Sequence, residues 1–333
     1  MTEINNISIT SNNPIPLQFM IINNQNIDIQ PGFQQLFQLN ISQLQYYNSN
    51  LASDLHNIRF LYKGNYIPAW LESISNGVAT IWVKLPVSIP ANSSITIDME
   101  VGPSLNFDGV YWGEAPQLSP TYGEYDNGAS VFGAYDNFAG TSLSSQWAEI
   151  NSPTITVNNG ITVAGNVNSV GGIYLKTKYS FPAVLEAYSS GTWNYAGFMF
   201  VNDINESPFS YNAWWVIGSL PGQAYNGMIA DPWGTGSSGN AFQYAINGTG
   251  YTFGSSVSSI ILNNIVSIYS SGSQIGQLIN YGSTNSQSTS ASLPSTTYYI
   301  EIGAASGNSI SLHWIRYRAY PPNGVMPTVE VIA

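Results

Sequence analysis

The 333-residue chain contains no cysteine. Disulfides, thiolate metal sites, iron–sulfur clusters and cysteine nucleophiles are excluded together. Histidine is almost as scarce: His56 and His313 are too few for a His-rich metal centre. Charge is the next shortage. Asp, Glu, Lys and Arg make up 8% of the residues, against roughly 25% in an ordinary domain. Long solvated helices, coiled coils and charged disordered tails need more than that. Cations are the rarer sign. Seven Lys and Arg face 18 Asp and Glu, for a formal net charge of −11. Such a chain lacks the basic footprint for nucleic acid or anionic lipid, so neither is expected as a partner. Every long charge-free run is broken by Gly, Pro, Asn or Ser, so no membrane insertion is expected. The first cation is Arg59, and the start therefore lacks the positive region of a secretory signal. The expectation is a chain that is cytosolic, already processed, or exported by another route.

Hydrophobic residues, at 44%, are present in ordinary amount, enough for a sizeable core. Polarity comes instead from Asn, Ser, Thr, Gln and Tyr. From Pro232 to Ile300 there is not one Asp, Glu, Lys or Arg. Neutral amides and hydroxyls do not titrate, whereas acid denaturation works mostly through paired carboxylates and neutral His. This composition leads to the expectation of an acid-tolerant protein in harsh surroundings. A neutral polar surface is equally common on secreted β proteins and virion proteins.

The patterning is that of strands. Ile95 to Val101 alternates strictly between apolar and polar residues, as a half-buried strand does. Ile58, Phe60 and Tyr62 form a second alternating set. Val78 to Val87 places Ile81, Val83 and Leu85 on one face. Asn76-Gly77 precedes that run, and a type I′ turn needs positive φ at both central residues. Asn159-Gly160 again joins two β-type runs. Further candidates are Ala183–Tyr188, Gly197–Val201, Ala213–Ile217, Ile260–Tyr269, Gln274–Tyr281, Tyr298–Gly303 and Ser309–Arg318. A short helix around Phe33–Leu44 is the one helical candidate, set against its Gln and Asn content, and sustained helical periodicity is found nowhere. Short strands with Gly, Pro and Asn turns suggest sandwiches or jelly rolls. The Pro- and Gly-rich stretch 104–129 reads as a packed linker. It splits the chain into an N-terminal β-sandwich domain, 1–103, and a second domain, 130–333.

Two sets of segments resemble known modules. Asn57-Ile58-Arg59-Phe60, Trp70-Leu71-Glu72-Ser73 and Ala79-Thr80-Ile81-Trp82-Val83-Lys84-Leu85-Pro86 resemble a β-sandwich domain of unknown function. That domain recurs in archaeal and bacterial surface proteins and in some archaeal viruses. Val131-Phe132-Gly133-Ala134-Tyr135-Asp136-Asn137-Phe138, with Trp147, looks like the start of a concanavalin-like (laminin G-like) jelly roll. The run from His313 to Pro327 looks like the closing segment of the same group. The resemblance implies an all-β chain, a β-sandwich followed by a concanavalin-like jelly roll. It also implies a structural component of an archaeal virus particle or, alternatively, an archaeal cell-surface filament or adhesin subunit, or a carbohydrate-binding module. The expected partners are copies of itself, other virion or surface proteins, and host-surface glycans.

Candidate site residues are few. Concanavalin-like hydrolases use paired carboxylates, and Glu124-Tyr125-Asp126 lacks the second Glu of that pattern, so it reads as a solvated turn rather than a catalytic pair. No catalytic set emerges, and the chain is expected to be non-enzymatic, without a cofactor. Asp203 and Glu206, three apart in a loop, can bind calcium through hard oxygen ligands or simply be solvated. Asp136, in an Asp/Asn-rich stretch, can do the same or cap a strand. Gly234 to Gly239 matches G-x-G-x-x-G but lacks the strand, helix and downstream acid of a dinucleotide site. Adjacent Trp214 and Trp215 must face opposite sides of a strand, so one of them is a candidate for sugar or protein contact. Arg316 and Arg318 share a strand face and are expected to pair with Glu301 on a neighbouring strand rather than to form an anion site. The terminal segments Ile7–Ser11 and Thr328–Ile332 are expected to pair with neighbouring copies.

Overall fold

The computed structural model describes residues 16–166, 169–193, 195–207, 226–230, 242–253, 263–283 and 285–332. The chain is all-β and divides into two compact units, one formed by residues 1–134 with 321–333 and one by residues 135–320.

The first unit is a β-sandwich. Its strands are β1 (Leu17–Asn23), β2 (Gln34–Asn40), β3 (Ile58–Tyr62), β4 (Asn65–Tyr66), β5 (Ala69–Ser75), β6 (Val78–Lys84), β7 (Ser93–Val101) and β8 (Trp112–Glu114). One sheet runs from the C-terminal strand Thr328–Val331 through β1, β7 and β3 to β4; the other has the order β2-β6-β5-β8. Alternation in β1 buries Leu17, Phe19 and Ile21. Phe19 meets Phe37 of the opposite sheet edge-to-face at 5.4 Å, and Phe60 joins them from β3, an arrangement favoured by the ring quadrupoles. The Asn76-Gly77 turn forms as expected, with φ of 51° and 76° between β5 and β6.

Three expectations are corrected here. The helix is α1 (Ile41–Tyr47), not a segment within Phe33–Leu44. Gln34–Asn40 is instead a strand in full register with β6, and Asn40 Oδ1 accepts from Gln43 N to start the helix after it. The stretch 104–129 is part of the first unit rather than a linker. Its Trp112 is fully buried and donates from Nε1 to Leu55 O at 2.8 Å, while β8 pairs in parallel with β5. Gly113 lies so close to Asn127 Oδ1 and Tyr125 O that a Cβ would collide with both. Gly113→Ala should therefore destabilise this unit by roughly 1–3 kcal/mol, as read by denaturant unfolding.

The third correction concerns the C-terminus. The sequence reading places it in the second domain, with Thr328–Ile332 open to neighbouring copies. The strand Thr328–Val331 instead pairs with β1 of its own chain, from Ile22↔Thr328 to Phe19↔Val331. Gln35 Nε2 also donates to Pro327 O at 3.0 Å. This pairing covers the edge of β1 and makes Thr328–Val331 the edge strand of its sheet. Ile7–Ser11 lies outside the described residues. Deleting the last eight residues should lower the stability of the first unit by roughly 2–4 kcal/mol through lost ladder hydrogen bonds; circular dichroism melts of full-length and truncated chains would measure it.

The second unit is a jelly roll of two antiparallel sheets. One has the order β10 (Trp147–Ile150), β13 (Gly171–Leu175), β23 (Thr297–Ala304), β16 (Ala196–Val201), β17 (Gly227–Ala230), β18 (Phe242–Ile246), β19 (Thr249–Phe253), with β14 (Tyr179–Ser180) also on β23. The other has the order β11 (Thr154–Val157), β12 (Ile161–Ala164), β24 (Ser309–Ala319), β15 (Ala183–Ser189), β20 (Ile265–Ser270), β21 (Ile275–Ile279), β22 (Asn285–Thr289), with β9 (Ala134–Asp136) on β24. Between the sheets lie Phe198, Phe200, Ile300 and Ile302 on one side and Leu185, Ile268 and Ile315 on the other, all buried. Phe200 meets Tyr317 across the interface at 6.4 Å. Positive φ at Asn159 and Asn247 closes the β11–β12 and β18–β19 hairpins. The strand candidate Ala213–Ile217 lies outside the described residues.

Candidate functional site

Strand alternation decides which side chains leave the core of the second unit. On β23, Tyr298, Ile300 and Ile302 point between the sheets, so Tyr299 and Glu301 point to the outer face. Register places Tyr174 of β13 and Met199 of β16 on either side of Glu301. Ile150, Val170, Met199, Val201, Ile229 and Ala245 form a buried apolar cluster on that face, with Tyr174, Tyr195, Ile204 and Tyr299 packed against it. Tyr174 and Tyr299 meet edge-to-face at 5.7 Å. Lys178 Nζ sits 4.6 Å above the Tyr299 ring and donates to Asn202 O at 2.7 Å.

Glu301 is the unusual member of this set. It is 0% exposed. Its Oε2 accepts from Ser207 Oγ at 2.6 Å, and its Oε1 has no hydrogen-bond partner among the described residues. Burial without a cation pushes its carboxyl up to about 8, with the Ser207 hydroxyl opposing only in part. At neutral pH the group is predominantly an un-ionised acid. Little in the sequence marks it, because a lone Glu in an apolar strand matches no catalytic or metal motif.

The outer face of the other sheet carries a contrasting carboxylate. Glu186 on β15 is also 0% exposed, yet Arg318 grips it with Nη2 at 2.7 Å and Nε at 3.0 Å. Arg316 Nε adds a bond at 2.7 Å and Ser267 Oγ one at 3.1 Å. Desolvation pushes this carboxyl up, but Arg318 and then Arg316 outweigh it and hold it near 2. Arg316 further donates to Tyr281 Oη at 2.6 Å and lies over the Trp314 ring at 4.6 Å. The expected pairing of Arg316 and Arg318 with Glu301 is therefore corrected. β24 lies beside β15, and Glu301 belongs to the other sheet, a separation that one strand's pattern does not reveal.

The residues singled out from sequence are not brought together. Asp136 accepts from Phe138 N, Gln146 Nε2 and Trp147 Nε1 at 2.7–2.8 Å, which makes it a brace for the first strands of the unit. Asp203 Oδ1 accepts from Asn205 N and Nδ2 and so caps the turn Ile204–Glu206 that contains Glu206. Among the described residues, no three His, Asp or Glu side chains converge as a metal site requires. Asp126 accepts from Trp70 Nε1 and Gly128 N, a structural use that the Glu124–Asp126 motif leaves unmarked. His313 stacks on Tyr188 at 5.3 Å, and burial lowers its imidazole from the usual range. Trp214, Trp215 and the Gly234–Gly239 motif lie outside the described residues.

Known proteins resemble this chain in three ways. Residues 54–107 match the family described as a domain of unknown function, DUF2341. The chain is 30% identical to uncharacterized protein 562 of Sulfolobus islandicus rod-shaped virus 1 over 344 aligned positions, which cover 95% of this chain and 58% of that protein. It thus spans little more than half the length of that relative. Solved structures with a similar fold include the carbohydrate recognition domain of Emp47p (13% identity, TM-score 0.38, 55% of this chain and 93% of that one). They also include the endo-β-1,3-glucanase from Pyrococcus furiosus (11%, 0.35, 58% and 95%) and the Bacillus licheniformis β-glucanase (12%, 0.37, 56% and 97%). The expectation of a non-enzymatic chain is withdrawn, since chains of this fold include glucanases. That expectation rested on motif spacing along the sequence, which says nothing of acids such as Glu301 and Glu186 that only the fold positions. At these identities the likeness shows the fold alone, and no activity passes from those enzymes to this chain. No helix among the described residues is long and apolar enough to cross a membrane.

Proposed function

We propose that this chain is a structural component of an archaeal virus particle, exposed at its surface and assembled with copies of itself and other particle proteins. The supporting observation is the likeness to a protein of a rod-shaped archaeal virus along 95% of the chain. The low charge fits the same reading. Surfaces built of Asn, Ser, Thr and Tyr can pack against one another without desolvating ions, and their hydrogen bonds hold over a wide pH range. Host-surface glycans suit such a surface as contacts, with half-buried tyrosines such as Tyr174 and Tyr299 as stacking platforms. Quantitative mass spectrometry of gradient-purified particles tests the reading. The chain should copurify with infectious particles at constant stoichiometry. Recovery only from envelopes or filaments of uninfected cells would instead make it a cell-surface subunit.

A further inference from the structure

Glu301 combines three features that a purely structural side chain rarely shares. It is wholly buried, one carboxyl oxygen has no partner among the described residues, and the other touches a single neutral donor, Ser207. Ser207 closes a short turn. Asp203 caps it through Asn205 N at 2.9 Å, and Ser207 N bonds back to Ile204 O. Ile204 packs on the apolar cluster of the outer face, the same face that carries Glu301.

We infer that the turn Asp203–Ser207 is a proton-operated latch, closed over the outer face of the β23 sheet while Glu301 is neutral and released when Glu301 ionises. A neutral carboxylic acid tolerates an apolar pocket with one hydroxyl partner. Among the described residues a carboxylate there has no cation paired with it and must draw in water. The titratable and charged groups around it do not supply that balance. Tyr174 and Tyr299 share the face and bring no positive charge to it. The Lys178 ammonium is committed to the Tyr299 ring and Asn202 O. Asp203 lies in the turn itself and adds charge of the same sign. The strand β16 contributes Met199 and no ionisable group to this face. Water reaches the carboxylate most directly by lifting Ser207 and its turn, because the flanking strands are held by full ladders on both sides. Glu186 is the internal contrast: equally buried, but clamped by two guanidinium groups.

Hydrogen exchange of the full chain, corrected for intrinsic rates and followed from about pH 5 to about pH 9, tests the latch. Protection of residues 203–207 should fall by roughly tenfold or more over that interval in the native chain and stay level in Glu301→Gln. A fall of equal size in both proteins, or none in the native chain, would overturn it. Should Glu301→Gln not fold, infrared spectroscopy of the native chain decides: an un-ionised carboxylic acid carbonyl band should persist at neutral pH. Its loss by about pH 5, near the ordinary glutamate value, would equally overturn the latch.

Discussion

Glu186→Ala is expected to destabilise the jelly-roll unit by roughly 3–5 kcal/mol, more than any other single substitution considered. The native carboxylate accepts four hydrogen bonds, three of them from Arg316 and Arg318. Removing it leaves two buried guanidinium groups without their shared counter-charge. Arg316 keeps Tyr281 and the Trp314 face, and neither offsets a buried charge. In a unit of this size the melting temperature should fall by about 10 °C or more. Replacing all three residues with apolar side chains should cost far less, because the penalty comes from the unpaired charges. Calorimetry on the single and triple variants checks both statements. A single variant that melts like the native chain would contradict the first.

Glu301→Gln should change how stability depends on pH. The folded-state value of Glu301 is raised to about 8, above its ordinary carboxyl value in the unfolded chain. Its contribution is therefore fully present below about pH 4.5 and is lost as pH rises through about 8, on the order of a few kcal/mol in all. Glu186 has the opposite sign. Its folded-state value is depressed to about 2, so its contribution is present above about pH 4.5 and lost as pH falls towards 2. Both contributions are close to full only near pH 4–5, where the unit should be most stable. Glutamine mimics the neutral acid, so Glu301→Gln should melt like the native chain at about pH 4 and at a higher temperature at about pH 9. Identical alkaline slopes for the two proteins would exclude this. Glu301 thus favours the fold on the acid side of neutrality, and Glu186 limits that gain below about pH 4.5.

The sequence and the structure part company in an instructive place. Local signals carried well: the alternation of Ile95–Val101 became β7, and Asn76-Gly77 and Asn159-Gly160 became tight turns. These depend on neighbouring residues only. What failed depends on distant ones. The strand pattern puts Arg316 and Arg318 on one face, and their partner, Glu186, comes from β15 rather than from the sheet that holds Glu301. Choosing between Glu186 and Glu301 requires knowing that β24 pairs with β15. The C-terminal strand joins the first unit across the whole chain length, and no local pattern announces such a return. Glu301 itself was visible only as a prospective ion-pair partner, because the signal of a buried acid is the absence of a cation nearby, which is a property of three dimensions.

The central claim, that the chain is an exposed part of a virus particle, is tested most directly by immunogold electron microscopy. Intact, unpermeabilised particles from an infected culture would be labelled with antibody against the chain. Gold on the outside of intact particles is the expected result, and its position would identify the appendage or surface that carries the chain. Particles free of label, with gold confined to filaments or envelopes of uninfected cells, would contradict the claim.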